Sequence, residues 1–540
     1  MDADRIGLAL LALALCFGAG CSSSADSAAA PSGAPPIAGA GASNGSGGPL
    51  TTGPDSDAGA PLPPEMELDQ SFRAPVATGK VLWSANPDSG RVALIDAKTL
   101  QVRMTNAGFG PTFLAAVPSM KGTDSAIVIN VGSHDATWLT ASATSIDSVT
   151  IPTHVGANAW AISGDGHFAI AWTDVTRIEG GAPDAVNGYS ELTVIDLAAE
   201  PPSSTRLSVG FRPSEVVFDA RAQHAFAVVD EGISVLDLGE KSELSQLLTV
   251  STENQDAHAR DVSFAPDGSF AVVRVEGSPN VEIIDLSSNE RQVVALDSSV
   301  TDLDLSPDGT TATAVLGNAT PPQVVSFAVP KPSLDPADFA KATIDGELVR
   351  SVTLAPNGKL ALLYANAVPS SHLTLLDTTP GPDHTLPHRT QDLQGAVKGV
   401  FVSPDSSTAI TFQTPPSGST KKGLFSIVPT AAMRPPRIVG TDALPTEIAF
   451  SDADEGKALV TVHDSSSMVR GVYVIGLANL EQNFVPLSSE PLPGATGIVA
   501  EAKRGFVAQK HPEGRITFID LETGVAQTLS GFEIAARVVQ

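Results

Sequence analysis

The chain has 540 residues, with 32 Lys and Arg against 60 Asp and Glu and a formal net charge of −28. That length can bury several cores or one large repetitive one. The acidity leaves no basic stripe to displace counterions, which excludes nucleic acid as a partner, and it disfavours docking of the folded surface on anionic lipid.

Cysteine occurs only as Cys16 and Cys21. The rest of the chain can therefore build no disulfide framework, thiolate zinc site, iron–sulfur centre or haem attachment. Residues 6–17 are an apolar run too short to span a bilayer and suited to the h-region of a signal peptide. Gly18, Ala19 and Gly20 supply small residues before Cys21, and Ser22, Ser23 and Ser24 follow. This resembles the lipobox of bacterial lipoproteins. Gly18 stands where that family prefers Leu, and Asp2 and Asp4 accompany Arg5 in the n-region. The resemblance implies a signal peptide over 1–20, lipidation at Cys21, membrane attachment through that lipid only, and outer-membrane sorting directed by the following Ser. Residues 21–75 are Ala, Gly, Ser and Pro with few large apolar side chains. Such a segment cannot bury enough surface to offset its ordering entropy, and about 50 residues of it reach about 40 Å as a flexible tether.

From residue 76 onward the chain repeats. Leu94-Ile95-Asp96, Val194-Ile195-Asp196-Leu197, Val235-Leu236-Asp237-Leu238, Ile283-Ile284-Asp285-Leu286, Leu375-Leu376-Asp377 and Phe518-Ile519-Asp520-Leu521 share one pattern. Asp96 and Asp520 are 424 positions apart, nine intervals of about 47 residues, the period of a propeller blade. Each unit reads as an alternating strand, a tight turn, a small-residue strand, a loop, the Val-Ile-Asp-Leu strand and a weaker last strand. The turns are Pro266-Asp267-Gly268, Pro307-Asp308-Gly309, Pro356-Asn357-Gly358 and Pro404-Asp405-Ser406. Pro presets φ, Asp or Asn caps its own backbone, and Gly takes the positive φ.

The four-strand unit, its Ser-Pro-Asp-Gly-like first hairpin and its third strand resemble the YVTN-type β-propeller repeat of bacterial surface and periplasmic proteins. The resemblance implies an all-β propeller over residues 76–540. Ten units start near 80, 111, 157, 214, 260, 301, 350, 398, 446 and 497. The first lacks an evident inner strand, and residues 532–539 alternate as an inner strand should. Ten blades exceed the usual range of about four to eight, so two rings or a split blade stay open, and the economical expectation is one ring closed by the C-terminal strand, which removes the open edges.

Chemistry has no linear signature. There is no G-x-S-x-G, H-E-x-x-H, Walker or G-x-G-x-x-G motif. His384 and His388 flank Pro387, which rules out a helical pair, and no EF-hand-like calcium loop occurs; no cofactor or metal is implied. Trp83, Trp138, Trp160 and Trp172 do not recur at the blade period and read as packing residues. Variation concentrates in the loops joining strands two and three, chiefly residues 174–190, with 365–371, 414–422 and 464–467 on the same face. Binding residues usually sit on such loops, and the candidates are Arg177, Glu179, Asp184, Asn187 and Tyr189. Two functions remain open. One is a non-catalytic envelope lipoprotein that binds a protein, peptide or glycan through this face. The other is a lactonase-like hydrolase with scattered His, Glu and Arg at the channel mouth.

Overall fold

The computed structural model describes residues 75–535 except 119–121, 179–188, 240–241, 250–259, 334, 432–433 and 467. The expected signal peptide, Cys21 and nearly all of the tether lie outside the described residues. Four-stranded antiparallel sheets follow one another at 76–106, 111–152, 159–208, 215–249, 260–295, 302–343, 351–392, 396–441, 444–486 and 491–530. Each is a meander whose strands pair in sequence order. Set side by side in a ring, they make a ten-bladed β-propeller, beyond the usual range of about four to eight.

Local chemistry explains each blade. In the first hairpin Asp267 Oδ1 accepts the Ser269 N–H at 3.0 Å, Asp308 Oδ1 that of Thr310 at 3.1 Å and Asn357 Oδ1 that of Lys359 at 2.9 Å. Gly268 and Gly309 take φ of +70° and +69° in these turns. The recurrent Asp of the third strand is also a turn former. It ends its strand and caps the next hairpin: Asp96 Oδ1 accepts from the N–H of Lys98 and Thr99, Asp285 from Ser287 and Ser288, and Asp520 from Glu522 and Thr523. The repeat's most visible residue is therefore structural, because an Asx turn fixes where the strand stops.

Apolar clusters straddle the seams between blades. Val315 and Val324 of blade six pack with Val352 and Leu363 of blade seven, and Leu459 and Val474 of blade nine with Val507 and Ile519 of blade ten. Strands two and three are sandwiched, so Ser125–Asn130 is buried throughout. The outer strands meet solvent, and Ser203–Ser208 alternates between exposed and half-buried positions. Among the described residues no helix is long and apolar enough to cross a membrane.

Ring closure differs from the expectation in one respect. The inner strand of blade one is its own Val76–Thr78, paired with Val81–Asn86. Three residues are too few for alternation to register in the sequence. With that position taken, blade one has four strands without the C-terminus, and Phe532–Ala535 is a helical turn; residues 536–539 of the expected strand lie outside the described residues. The ring closes through side chains instead. Phe506 and Phe518 of blade ten pack with Leu82, Ile95 and Met104 of blade one, and Phe532 is buried among them. Asn86 Nδ2 donates to Glu533 Oε2 across the same seam.

Candidate functional site

The loops joining strands two and three, and those joining successive blades, open together on one face. On that face a cavity of about 210 Å³ lies between blades two and three. One wall is the end of Ser125–Asn130 and the turn after it; the other is the connection at 153–158.

Asn130 is fully buried, and its amide is oriented by its donors. Nδ2 gives one hydrogen bond to Asp135 Oδ1 at 2.6 Å and another to Thr137 Oγ1 at 2.9 Å. Its Oδ1 has no partner in the protein, nor has Oγ1 of the fully buried Thr153. Thr153 is held through its backbone, which accepts from Arg206 Nη2 at 2.6 Å. His154 has no exposed surface. Its Nδ1 lies 2.8 Å from Thr193 Oγ1 and its Nε2 3.3 Å from Thr173 Oγ1. Burial, with Arg206 nearby, pushes its pKa down to about 4, so the imidazole is neutral at pH 7. The lip is apolar: Phe109 is 73% exposed and Val155 64%, with Val131 between the walls.

Asn158 ties this cavity to the unit-three loop. Its side chain accepts the Asp174 N–H at 2.7 Å and donates to the Asp174 carbonyl at 2.9 Å. Arg177, the first of the expected binding residues, sits at that base. It pairs with Asp174 at 3.0 Å and donates to the Asn158 carbonyl at 3.2 Å. Tyr189, at the other end of the loop, is buried, its ring 6.3 Å from that of Phe211. Glu179, Asp184 and Asn187 lie outside the described residues. Asn130, Thr153 and His154 were not legible as a site, since they come from two blades and match no motif. The usable signal is that residues 111–156 carry neither the Pro-Asp-Gly-like turn nor the Val-Ile-Asp-Leu strand.

The inner strands hold a second polar cluster, on the wall of the central channel at blades five to seven. Asp302 Oδ2 accepts the Val352 N–H at 2.8 Å, and Asp304 Oδ2 that of Leu354 at 2.7 Å. Asp261 receives Arg274 Nε at 3.3 Å. Asp302 and Asp304 bridge one inner strand to the next, satisfying N–H groups that have no sheet partner. Glu447 repeats the device toward Gly494 and Thr496 of blade ten. Burial, opposed by Arg274 and reinforced by Asp261, pushes Asp302 up to about 7. Burial and then the neighbouring Asp302 push Asp304 well above the usual carboxyl range. Arg350 donates to Asn318 Oδ1 at 2.7 Å beside them. Among the described residues no three His, Cys, Asp or Glu side chains converge as metal ligands.

The tryptophans are packing residues. Trp83 Nε1 donates to Thr78 Oγ1, Trp138 Nε1 to Ser125 Oγ and Trp160 Nε1 to the Phe113 carbonyl. Trp172 is buried at the blade three–four seam.

No family model matches the chain, and no curated protein does. Several solved structures are similar to parts of it. The crystal structure of the eukaryotic initiation factor is 13% identical, with 77% of this chain and 94% of that one covered and a TM-score of 0.49. The dihydro-haem d1 dehydrogenase NirN, in complex with DHE, is 12% identical over 68% of this chain and 74% of its own, with a TM-score of 0.42. The Cps50 (Swd1) β-propeller domain of Myceliophteria thermophila is 13% identical over 59% and 96%, with a TM-score of 0.32. Nothing of their chemistry transfers at such similarity.

Proposed function

We propose that this propeller is a binding module of the bacterial cell envelope, anchored through lipid on Cys21 and engaging a partner through its long-loop face. The observation that carries the reading is the cavity between blades two and three, with exposed Val131 and Val155 on its lining and exposed Phe109 against the adjoining turn at Gly132. Exposed apolar side chains gathered at a cavity on a loop face mark a recognition surface. The base of the loop proposed to carry the binding residues Arg177, Glu179, Asp184, Asn187 and Tyr189 is fastened to the same wall, through Asn158 to Asp174 and Arg177. The repeat resembles the YVTN type in its first hairpin and third strand. The channel-wall carboxylates are accounted for by the strand N–H groups and the arginine they hold.

A photo-reactive phenylalanine analogue placed at Phe109 or Val155 is expected to cross-link a partner in cells. The same group at Val149 or Val293, exposed on outer strands, is expected to give no adduct. Equal adducts from both sets, or none from the lip, defeat the binding-face reading. For the anchor, Cys21→Ala is expected to move the protein from the membrane to the soluble fraction with its thermal melt unchanged. Persistence in the membrane fraction defeats the lipid anchor.

A further inference from the structure

We infer that residues 66–74, the end of the segment leading into the propeller, dock as an extended stretch on the apolar lip at blades one to three and compete there with the partner. The competition rests on the long-loop face being the binding face; the docking does not.

The segment is patterned for a surface. The large apolar side chains of 21–75 are Ile37, Leu50, Leu62, Met66, Leu68 and Phe72, and four of these six fall in the last fourteen residues. Met66, Leu68 and Phe72 stand at even positions, followed by Ala74 and Val76 and interrupted only by Gln70. Glu65, Glu67, Asp69, Ser71 and Arg73 stand at odd ones. Alternate residues of an extended chain share a face, so one side of this stretch is apolar and the other polar or charged. A stretch that only spaced an anchor would need no apolar side.

The described chain enters the fold beside the lip. Pro75 is buried, and Val76 shares one apolar cluster with Ala85, Ala107 and Leu114. Phe109, two residues past Ala107, rests exposed over Gly132. Phe109 is thus at most about 7 Å along the chain from Ala107, and Phe72 at most about 13 Å from Val76. The two rings are within each other's reach, and Met66 and Leu68, farther up the chain, reach Val131 and Val155.

Blade one leaves a path for the segment. Val76–Thr78 pairs with Val81–Trp83 alone, so among the described residues Ser84–Asn86 have a strand partner on one side only. In blade two, by contrast, Pro111–Val117 follows its neighbour through to Asn130. Continuing the register of blade one sets residues 73–75 along Ser84–Asn86, toward the long-loop face on which that strand ends. Pro is tolerated on such an edge. The same register puts Arg73 opposite Asn86, beside the Glu533 carboxylate that Asn86 holds.

The test uses the full chain, purified, with the photo-reactive phenylalanine analogue at Phe109 or, as a control, at Val293 on an outer strand. Adducts are mapped by mass spectrometry after digestion, and gel mobility separates adducts within a chain from those between chains. Phe109 is expected to cross-link to residues 66–74 of its own chain, and Val293 is not. Met66→Ser, Leu68→Ser and Phe72→Ser combined should cut that adduct at least about fivefold, because the segment loses the apolar burial that holds it. Circular dichroism should show the blades intact, since all three positions precede them. Glu65→Gln, Glu67→Gln and Asp69→Asn combined, on the other side of the alternation, should leave the adduct unchanged. In cells the serine variant should raise the partner adduct at Phe109 at least about twofold, since the face is then open for more of the time.

Absence of the self-adduct overturns the inference, as does its survival in the serine variant, an equal loss in both combined variants, or an adduct between two copies in its place. A partner adduct that the serine variant leaves unchanged overturns the competition. If the self-adduct forms and no partner is captured with either protein, the docking stands and the binding face falls. If a partner is captured and no self-adduct forms, the face stands and the docking falls.

Discussion

Two seams of the same ring bury polar groups in opposite ways. Between blades two and three the buried titratable group is His154, kept neutral and hydrogen-bonded by Thr193 and Thr173. At blades five to seven three carboxyl groups, Asp261, Asp302 and Asp304, share one channel-wall cluster with Arg274. The first seam buries a neutral imidazole and leaves Asn130 Oδ1 and Thr153 Oγ1 without protein partners. The second is engaged with the fold itself, since its oxygens take the N–H groups of the next inner strand. A buried polar group thus marks a site only where its hydrogen-bonding capacity is left incomplete.

The contrast has a pH signature. His154 is held below the ordinary 6.5, so the unfolded chain binds more protons than the folded one between pH 6.5 and about 4. Its contribution is full above pH 6.5 and is lost as pH falls through that window. Asp302 is held above the ordinary 3.8, so there the folded chain binds more protons. That seam weakens as pH rises from about 4 to 7, and Asp304 acts in the same direction. Arg206 faces His154, while Asp261 and Arg274 act on both channel aspartates.

The largest effect expected is at the charged seam. Arg274→Met removes the cation from among three carboxyl groups and should cost about 3–5 kcal/mol at pH 8. At pH 5, where Asp302 holds a proton, the loss in urea denaturation should be distinctly smaller; an equal loss at both pH values would show that the guanidinium acts by packing alone. At the neutral seam, acidification from pH 6.5 to 4 should cost about 3 kcal/mol through His154. His154→Gln should reduce the pH slope by that amount, measured as the difference between the two proteins' stability curves. Asp304→Asn keeps an acceptor for the Leu354 N–H and removes a charge that the site disfavours. It should stabilise by about 1–2 kcal/mol at pH 8 and do little at pH 4, whereas destabilisation at pH 8 would argue for a needed carboxylate. Smallest of all, Phe109→Ser at the exposed lip should change stability by less than about 0.5 kcal/mol. A large loss there would mean that the ring is structural, because Phe109 also packs over Gly132.

Much of the architecture was legible because it is local. Asp267-Gly268 and Asp308-Gly309 form their turns from contacts within a few residues, and Asp96, Asp285 and Asp520 stop their strands the same way. Periodicity then carried the count to ten. The inner strand Val76–Thr78 escaped because three residues show no period, and Phe532–Ala535 misled because alternation is shared by strands and short amphipathic turns. The site was less legible. Reading function from the longest break in the repeat led to the loop at 174–190, whose base does abut the cavity through Asn158. The cavity itself joins Asn130 to Thr153 across a blade boundary, and nothing in the spacing marks an oxygen as unpaired.

The sequence by itself determined the blade: its four strands, its turns and its number of repeats, because hydrogen bonds between near neighbours and a period-two pattern specify them. Only the tertiary structure decided how the ring closes, through Phe506, Phe518 and Phe532 rather than a shared strand. It alone decided which buried polar atoms are satisfied, as with Asp302 and Asp304, and which are left over, as with Asn130 and Thr153. The physical reason is that satisfaction of a buried donor or acceptor depends on the three-dimensional neighbourhood, which residues far apart in the chain supply together.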